Sequence, residues 1–422
     1  MTDRPAGNAA PAERPFDGVV CFGGGDWWYH NRGHFDFQMM KRLADHAPVL
    51  YVNSIGVRMP SIGEGGMFFR RVARKLKSIS KGFTRIDDRW GVSSPFVVPG
   101  RTGMALTGKL LPTQVKLAAR KLGIHRPLVW VVTPTAADAA VTMLDRGAAG
   151  LVYQRTDRHE DFPGADRSEL IRCHHLLAER ADVTLYCSRA LMEAEAGGES
   201  DRVLYVDHGV DFARFAQAGR AADADPQNTA PADVRDIPRP RVGFIGGIDA
   251  HTFDPPLFLD VAQRLSHVRF FLVGGCSLPE DWCRLDNVTL LGRKPYDEVA
   301  DYMAAADVLI MPWNMSDWIK ACNPVKLKEY LAAGRPIVST WFDELSHYDG
   351  FVDVAADART FADAITRAIE QPSDPERRRR RVEDQTWEAK ADLVLRRLAD
   401  LGIFSRKSTP KHASITAEDA AA

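Results

Sequence analysis

Short apolar runs, each followed by a helical stretch, recur along the chain and constrain its fold more than any other feature. In the first half these runs are GVVCF, PVLYVN, PLVWVV, GLVYQ, VTLYC and VLYVD. In the second half they are RVGFIGG, VRFFLVGG, VTLLG, VLIMPW, PIVST and FVDVA. Apolar runs of this length between helices predict buried strands of parallel sheets. At 422 residues the chain is long for one core, so two α/β domains are expected.

The segments between and beyond the two sets predict the domain boundaries. Residues 216–240 contain almost no large apolar side chains, which is typical of a linker or an exposed loop. The polar ends of the chain predict disordered tails. The predicted units are a tail at 1–15, a Rossmann-like domain at 16–215, the linker at 216–240, a second Rossmann-like domain at 241–382, a helix at 383–404 and a tail at 405–422. Ligands of such sheets bind beyond the carboxyl ends of the strands, so two facing sheets predict a cleft.

Composition excludes several classes of protein. The net charge of −1 gives no global field that would attract nucleic acid. The six cysteines form no Cys-x-x-Cys pair, which disfavours a structural zinc site and fits reduced thiols in a cytoplasm. The polar N-terminus has no apolar core of a signal peptide, and no apolar run approaches the roughly 20 residues of a membrane span. A cytoplasmic protein without a structural zinc site is therefore expected.

One region departs from this balance. Between Glu64 and Asp138 there are 14 Lys and Arg residues and only two acids. Within it, FFRRVARKLKSISK alternates apolar residues at helical spacing with basic ones, a pattern typical of a helix lying on an anionic membrane surface. A solvated basic helix, or a patch that attracts another anionic polymer, is the alternative. The predicted membrane patch consists of Arg70, Arg71, Arg74, Lys75 and Lys77.

The segment ACNPVKLKEYLAAGRPIVST predicts a helix, a tight turn and a buried strand. Lys326 and Glu329 are three residues apart and share one face of the helix. Asn323 precedes the helix and is expected to cap it, and Gly334 is expected to end it. A helix N-terminus with an added lysine can hold a phosphate, and a carboxylate one turn later can bind ribose hydroxyls. An ordinary amphipathic helix is the alternative.

Other groups follow the ends of predicted strands. The first strand leads into a glycine-rich loop with Gly24, Gly25, Asp26, Trp27 and His30, which suits sugar recognition; a glycine turn followed by core aromatics is the alternative.

The loop from Tyr153 to Phe162 is dense in titratable groups and includes Asp157, which lies either in the cleft or in a salt-bridged surface loop. His208 falls at the domain junction. The second domain opens with a turn that contains Gly246 and Gly247. This turn is similar to a dinucleotide fingerprint, but no acid ends the next strand, which disfavours an oxidoreductase.

In this order, the segments resemble retaining glycosyltransferases of the GT-B fold and the broad family 4 type. They are most similar to bacterial cell-wall and exopolysaccharide transferases of the teichuronic-acid type. The resemblance rests on the glycine-rich first loop, His-Gly-Val-Asp, Gly-Phe-Ile-Gly-Gly, Asn-Val-x-Leu-Leu-Gly, Ala-Asp-Val-Leu-Ile-Met-Pro and Glu-Tyr-Leu-Ala-Ala-Gly-x-Pro-Ile-Val. It implies an α/β fold with two Rossmann-like domains facing a cleft.

The resemblance also implies roles for matched positions. Glu329 would hold the ribose of a nucleotide sugar, with Gly246, Gly247 and Lys326 near the diphosphate and Gly292 and Arg293 beside the base. Asp26 and His208 would face the reacting sugar, and Asp157 is a further catalytic candidate. UDP or another nucleoside diphosphate would carry the donor sugar as a co-substrate, without a cofactor or a bound metal.

Two positions differ from the family pattern. Ala321 stands where the family often has a first glutamate. Asp249, His251 and Asp254 stand where an arginine and a lysine usually follow the second glycine turn. The expected function is sugar transfer to a lipid-linked or polysaccharide acceptor at the inner membrane face. The alternatives are a non-catalytic protein that binds sugar nucleotides or glycans, and a nucleotide-sugar epimerase or a phosphorylase of the same plan.

Overall fold

The computed structural model describes residues 15–29, 33–55, 73, 76–97, 101–162, 164–371 and 374–405. The predicted tails, apart from Pro15 and Ser405, and half of the basic segment at 68–81 lie outside these residues. The described chain forms two α/β units, each built on a sheet that is almost entirely parallel. The α/β prediction is thus confirmed.

The first domain contains an eight-stranded sheet in the order β3-β4-β2-β1-β5-β6-β7-β8. Its strands are β1 Gly18–Phe22, β2 Val49–Val52, β3 Phe83–Arg85, β4 Trp90–Ser93, β5 Pro127–Val131, β6 Gly150–Arg155, β7 Val183–Tyr186 and β8 Val203–Tyr205. Its α-helices are α1 Phe35–Leu43, α2 Arg101–Arg120, α3 Ala137–Asp145, α4 Arg167–Arg180 and α5 Arg189–Ala196. Only β3 pairs antiparallel, at the edge of the sheet.

The second domain contains a six-stranded parallel sheet in the order β11-β10-β9-β12-β13-β14. Its strands are β9 Arg241–Ile245, β10 Arg269–Val273, β11 Val288–Gly292, β12 Val308–Met311, β13 Ile337–Ser339 and β14 Asp353–Val354. The remaining α-helices are α6 Phe212–Ala224, α7 Ala232–Arg235, α8 Pro255–Arg264, α9 Val299–Ala304, α10 Asp317–Lys320, α11 Val325–Ala333, α12 Ala358–Glu370, α13 Pro375–Arg380 and α14 Trp387–Asp400.

Burial explains why the central strands are apolar along almost their whole length. Every residue of β1, β5 and β9 is buried, because helices cover both faces of each sheet. Helix ends follow local capping: the side chains of Ser188, Asp254 and Thr386 each accept a hydrogen bond from a backbone N–H in the first turn of their helix.

The segment at 216–240, predicted as a linker or an exposed loop, is partly helical. It contains the second half of α6 and all of α7, and α6 packs against α9 and α11 of the second domain. A Cβ added to Gly219 would lie 2.2 Å from the carbonyl oxygen of Ala333. Small side chains here allow two helices to approach closely, and the sequence pattern does not distinguish this from a loop.

The last helix, α14, returns to the first domain. Trp387 packs edge-on against Phe35 of α1 at 5.4 Å between ring centroids, and Leu395 and Leu398 join the core around β1. The two domains are therefore linked twice, at the chain segment before α6 and at the segment before α14.

Candidate functional site

The order of the strands places two loop clusters at the centres of the two sheets. The order in which the chain adds strands reverses between β1 and β5 in the first sheet and between β9 and β12 in the second, while these strands stay parallel. At such switch points the loops after the strands diverge and leave a crevice for ligands. Gly23 and Thr133 meet at the first crevice, where the Thr133 hydroxyl donates to the Gly23 carbonyl at 2.7 Å. Gly246 and Trp313 follow the strands at the second.

Three glycines, Gly246, Gly274 and Gly292, form the floor of the second crevice. The N–H of Gly246 donates to Val273 at 2.9 Å, and the N–H of Gly274 donates to the carbonyl of Gly292 at 2.8 Å. A Cβ on Gly246 would lie 2.1 Å from Lys326 Nζ, and one on Gly274 would lie 1.7 Å from the Gly246 carbonyl oxygen. Gly247 is exposed beside them. Without side chains at these positions, Lys326 and the neighbouring backbone can pack closely at the floor.

Lys326 projects from the first turn of α11 to this floor. Its ammonium group lies 4.8 Å from the ring centroid of Phe244 and 5.2 Å from that of Trp313. Burial lowers the pKa of Lys326 to about 8, against the opposing effect of Glu329. Its positive charge, the helix N-terminus and the glycine floor together form a place for an anion.

Glu329 lies one turn further along α11 and is buried. One of its oxygens accepts a hydrogen bond from the Tyr296 hydroxyl at 3.0 Å. Burial raises the pKa of Glu329 to about 7, while Tyr296 and Lys326 act in the opposite direction. Gly33 of the first domain packs on the Tyr296 ring, since a Cβ there would lie 2.5 Å from a ring carbon. Glu329 thus sits close to the boundary between the domains.

The predicted base-binding residues lie at the outer strand of the same crevice. Gly292 has φ of +69°, a conformation that disfavours other residues. The Arg293 guanidinium covers Gly275, where an added Cβ would lie 2.5 Å from Arg293 Nε. The structure therefore brings Gly246, Lys326, Gly292 and Arg293 to one edge of the sheet.

Asn323 does not cap α11 as predicted. The N-cap position of α11 is Pro324, and no side chain caps the helix there. The Asn323 amide instead donates to the carbonyl of Cys187 at 2.8 Å and to the hydroxyl of Tyr205 at 3.4 Å, both in the first domain. Asn323 therefore connects the domains rather than closing the helix.

The glycine-rich loop of the first domain is held from beneath by Asp36, which the sequence analysis did not identify. One Asp36 oxygen accepts from the Gly24 N–H at 2.8 Å and from the Tyr51 hydroxyl at 2.7 Å. Gly25 donates to the same Tyr51 hydroxyl at 3.4 Å. In the sequence, Asp36 is an acidic residue between the apolar residues of α1. That isolated acid is the signal that could have identified it as a buried functional group.

Two predicted residues of this loop face inward. Trp27 is buried in the core and packs on Trp90 with ring centroids 5.1 Å apart, so it is not part of an exposed aromatic wall. The Asp26 carboxylate accepts from the Ser78 hydroxyl at 2.7 Å and from the Trp28 N–H at 3.0 Å. His30 lies outside the described residues.

His208 is enclosed between the domains. Its ring packs against Phe35 at 5.6 Å and Trp387 at 6.2 Å, and its Nδ1 is buried without a hydrogen-bond partner. Burial, reinforced by the positive charge of Lys328, lowers the pKa of His208 to about 3. The imidazole is therefore neutral at physiological pH and can exchange a hydrogen bond with a ligand without carrying charge.

Asp157 lies beside a buried ion network. Burial raises the pKa of Asp157 to about 6, and its charge acts on Cys187 and on Cys322 across the domain boundary. Arg155, fully buried, binds Glu160 and Glu195, each with its closest contact at 2.7 Å. These ion pairs fix the turn that carries Asp157 and His159.

A buried ion cluster at the domain junction was not predicted. Lys328 of α11 and Lys390 of α14 both bind the carboxylate of Asp207, which follows β8. Lys328 also donates to the carbonyl of His208. The sequence shows these charges but gives no sign that they meet.

At the positions that depart from the family pattern, local roles are visible. Asp249 accepts from the N–H groups of His251 and Thr252, each at 3.0 Å, and Asp254 caps α8. Ala321 ends α10. The His251 and Trp318 rings lie 4.9 Å apart, and Phe162 of the first domain packs on both.

Of the predicted membrane patch, Lys77 is exposed, while Arg70, Arg71, Arg74 and Lys75 lie outside the described residues. Within the described part of the chain, no helix combines the length and apolarity needed to cross a bilayer. The same residues contain no cluster of three or more His, Cys, Asp or Glu side chains that could hold a metal ion.

Comparison with known proteins places this arrangement in a family context. Residues 239–371 match the family described as Glycosyl transferases group 1. TuaH of Bacillus subtilis, named provisionally as a teichuronic acid biosynthesis glycosyltransferase, is 30% identical over 184 residues, which are 41% of this chain and 44% of that protein. The match thus spans less than half the length of that relative.

Solved structures are similar over almost the whole chain. Sucrose-phosphate synthase from Thermosynechococcus elongatus has a TM-score of 0.67 at 16% identity, covering 91% of this chain and 98% of that one. Anabaena HepE, solved with UDP and glucose, has a TM-score of 0.55 at 16% identity, covering 92% of this chain and 97% of that one. At this identity the likeness shows the fold alone. The chain therefore carries a glycosyl transferases group 1 domain at residues 239–371, within a two-domain GT-B fold.

Proposed function

We propose that this protein is a retaining glycosyltransferase, which moves a sugar from a nucleotide sugar to a lipid-linked or polysaccharide acceptor in cell-surface glycan synthesis. The observation that carries the proposal is the placement of Lys326 and Glu329 on one face of α11, beside the glycine floor at Gly246. One is a cation suited to a diphosphate and the other is a carboxylate suited to a ribose diol.

In this proposal each group has one task. Lys326 and the Gly247 backbone hold the diphosphate with Gly246 beside it, Glu329 accepts from the ribose hydroxyls, and Gly292 and Arg293 lie beside the base. As the bond to the sugar breaks, charge develops on the leaving diphosphate. Lys326 and the N-terminus of α11 stabilise that charge without requiring a metal ion. Added EDTA should therefore leave the rate of transfer unchanged.

Three groups remain as candidates on the sugar side. Neutral His208 can bind a sugar hydroxyl, and Asp157, with its raised pKa, can exchange a proton near neutrality. Asp26 is held by Ser78 and supports the acceptor side of the cleft. The resemblance to retaining enzymes implies departure of the diphosphate from the face where the acceptor attacks.

The donor is proposed to be a UDP-sugar or a related nucleoside diphosphate sugar. In support, Anabaena HepE of similar fold was solved with UDP and glucose, and a Burkholderia vietnamiensis trehalose-phosphate synthase described as UDP-forming has a TM-score of 0.60 at 14% identity. The name of TuaH favours a role in cell-wall glycan synthesis.

Release of nucleoside diphosphate from a panel of nucleotide sugars, incubated with membrane extract, tests the proposal. Glu329→Ala should weaken nucleotide binding at least about tenfold, because a buried carboxylate with two hydroxyl partners is lost. Glu298→Ala, which removes an exposed carboxylate near Tyr296, is the matched control. If no donor releases nucleoside diphosphate, the proposal that the protein is a glycosyltransferase is refuted. An unchanged affinity of Glu329→Ala would refute the ribose role.

The main alternative is a non-catalytic protein that binds sugar nucleotides on the same fold. Ala321 and the absence of the usual arginine and lysine after Gly247 favour this alternative. It predicts tight nucleotide binding without turnover. An epimerase would convert the donor sugar with no acceptor present, so analysis of the sugar after incubation separates all three.

The proposed location is the inner face of the cell membrane, where basic residues would meet anionic lipid. Charge reversal of Arg70, Arg71, Arg74, Lys75 and Lys77 should abolish binding to anionic vesicles. Binding that survives these changes would remove the basic patch from the proposal.

A further inference from the structure

Exposed large apolar side chains in the first domain are found only where its positive charge is concentrated, among the described residues. Four such side chains belong to this domain: Leu76, Phe96, Leu110 and Leu117, with exposed fractions of 62%, 57%, 44% and 57%. All four fall in the interval between Glu64 and Asp138, which carries 14 basic residues and two acids. Single exposed leucines are ordinary, but their coincidence with this charge is not.

Helix α2 brings three of these side chains together. Leu110 and Leu117 lie on one side of the helix, with Gln114 between them at helical spacing. The Gln114 side chain accepts from the Phe96 N–H at 3.0 Å and donates to the Phe96 carbonyl at 3.1 Å. These two bonds hold Phe96 beside the leucines.

Leu76 belongs to an adjacent element. The hydroxyl oxygens of Ser78 and Ser94 are 3.1 Å apart. Leu76 precedes Ser78 by two residues, and Phe96 follows Ser94 by two. Since two residues of extended chain span about 7 Å, Leu76 and Phe96 each lie close to the contact between the serines. The end of the basic segment and α2 therefore form one continuous region, which we call the docking face.

Cations surround the apolar side chains of the docking face. Lys109, Lys116 and Arg120 are exposed on α2, and Lys77 and Lys81 are exposed beside Leu76. Residues 89–137 contain no aspartate or glutamate. An apolar strip bordered by cations suits a lipid surface, because leucine enters the headgroup boundary while lysine meets anionic headgroups.

We infer that the docking face, formed by Leu76, Phe96, Leu110 and Leu117 with their neighbouring cations, binds an anionic lipid bilayer. A soluble polyanion would use the lysines but would leave the leucines in water. A second copy of this chain would bring two positive faces together, which repel. The inference deepens the membrane partner of the proposed function and rests on it for that partner.

Sedimentation of the purified full chain with vesicles tests the inference. We expect binding to vesicles of phosphatidylglycerol and phosphatidylcholine, and little binding to phosphatidylcholine alone. The double variant Leu110→Ser/Leu117→Ser should bind at least about tenfold more weakly, because two apolar anchors are lost. Phe96→Ser should act in the same direction. Leu290→Ser is the matched control, since Leu290 is equally exposed, at 44%, on the second domain.

Each outcome decides the question. Unchanged vesicle binding by the double variant, or an equal loss in Leu290→Ser, overturns the inference. A solution dimer of the wild type that the double variant dissociates would assign the face to a second copy instead. The sedimentation assay contains no nucleotide sugar, so it tests the docking face alone. The diphosphate-release assay can be run without vesicles, so it tests the proposed transferase activity separately.

Discussion

Glu329 is a residue whose burial is unfavourable for the fold. Burial raises its pKa from 4.5 to about 7, so the folded protein keeps a proton that the unfolded chain releases between these values. Stability therefore falls as pH rises through this window, and the ionised carboxylate costs about 3 kcal/mol above pH 7. A residue that destabilises its own fold is expected where a ligand requires it.

Glu329→Gln should accordingly stabilise the protein at pH 8 and have little effect at pH 5. The amide retains an oxygen for the Tyr296 hydroxyl but never ionises. Thermal unfolding at both pH values measures the difference. A variant that is less stable than wild type at pH 8 would show that the carboxylate is held for structure rather than for a ligand.

Lys326 and Glu329 together predict a bell-shaped pH dependence of UDP affinity. Affinity should rise through pH 7 as Glu329 ionises, and fall by about tenfold between pH 7 and 9 as Lys326, with its pKa of about 8, loses its proton. Calorimetric titration of UDP measures both limbs. Glu329→Gln should remove the acid limb and Lys326→Met the alkaline limb.

Lys320→Met is the control for this prediction, since Lys320 is exposed on the preceding helix and pairs with Asp317 of the same helix. Uridine, which has no phosphates, should show no alkaline limb. If uridine and UDP lose affinity alike, Lys326 does not contact the diphosphate.

At the scale of single residues, helical spacing was enough to put Lys326 and Glu329 on one face. The local sequence did not predict the positions of Asn323 and Trp27 correctly. Both have side-chain types that suit their predicted roles, yet partners distant in sequence decide their positions: Cys187 and Tyr205 for Asn323, and Trp90 for Trp27. Asp36 was missed for the same reason.

At the scale of elements, the packing of α6 on α11 depends on a glycine. Gly219→Ala should destabilise the protein by about 2 kcal/mol, because its Cβ would meet the backbone oxygen of Ala333 at 2.2 Å. Gly108→Ala is the matched helical control. There the nearest atom is 3.9 Å away, and the gain in helix propensity should stabilise the fold by up to about 1 kcal/mol.

Denaturant unfolding of the two variants measures the contrast. Equal changes in the free energy of unfolding for both substitutions would show that helix propensity alone determines the change. The contact between α6 and α11 would then accommodate the added methyl group without loss of stability.

Most strands and helices could be predicted from the sequence, but helix α6 could not. Strands such as β1, β5 and β9 coincide with apolar runs, because strands buried on both faces must be apolar throughout. Helix α6 is rich in alanine and glycine, so it has no wide apolar stripe. Its helical state depends on close contact with the second domain, which composition does not report.

At the scale of the whole molecule, one ion cluster joins the two domains and the last helix. Asp207 follows the last strand of the first sheet, Lys328 belongs to the second domain and Lys390 to α14. Burial alone would raise the pKa of Asp207, but Lys328 and Lys390 outweigh burial and hold the pKa below its usual range. The cluster is therefore ionised at neutral pH and would be lost when acid protonates Asp207. It would also weaken at alkaline pH, because burial lowers the pKa of Lys328 to about 8.

Lys328→Met should uncouple the domains. Methionine fills a similar volume, but it leaves Asp207 with Lys390 alone and removes the hydrogen bond to the His208 carbonyl, a loss of about 3 kcal/mol. Scanning calorimetry should then show two separate transitions where the wild type shows one. UDP should raise only the transition of the second domain.

Lys294→Met provides the comparison, because Lys294 pairs with Asp233 inside the second domain only. It should leave a single transition. One unsplit transition in Lys328→Met, at the wild-type temperature, would mean that the apolar contacts of Trp387 and α14 hold the domains together without the ion cluster. Since Lys328 adjoins Glu329 on α11, a split would also show that the helix carrying the proposed nucleotide-binding residues is the one that fixes the domains to each other.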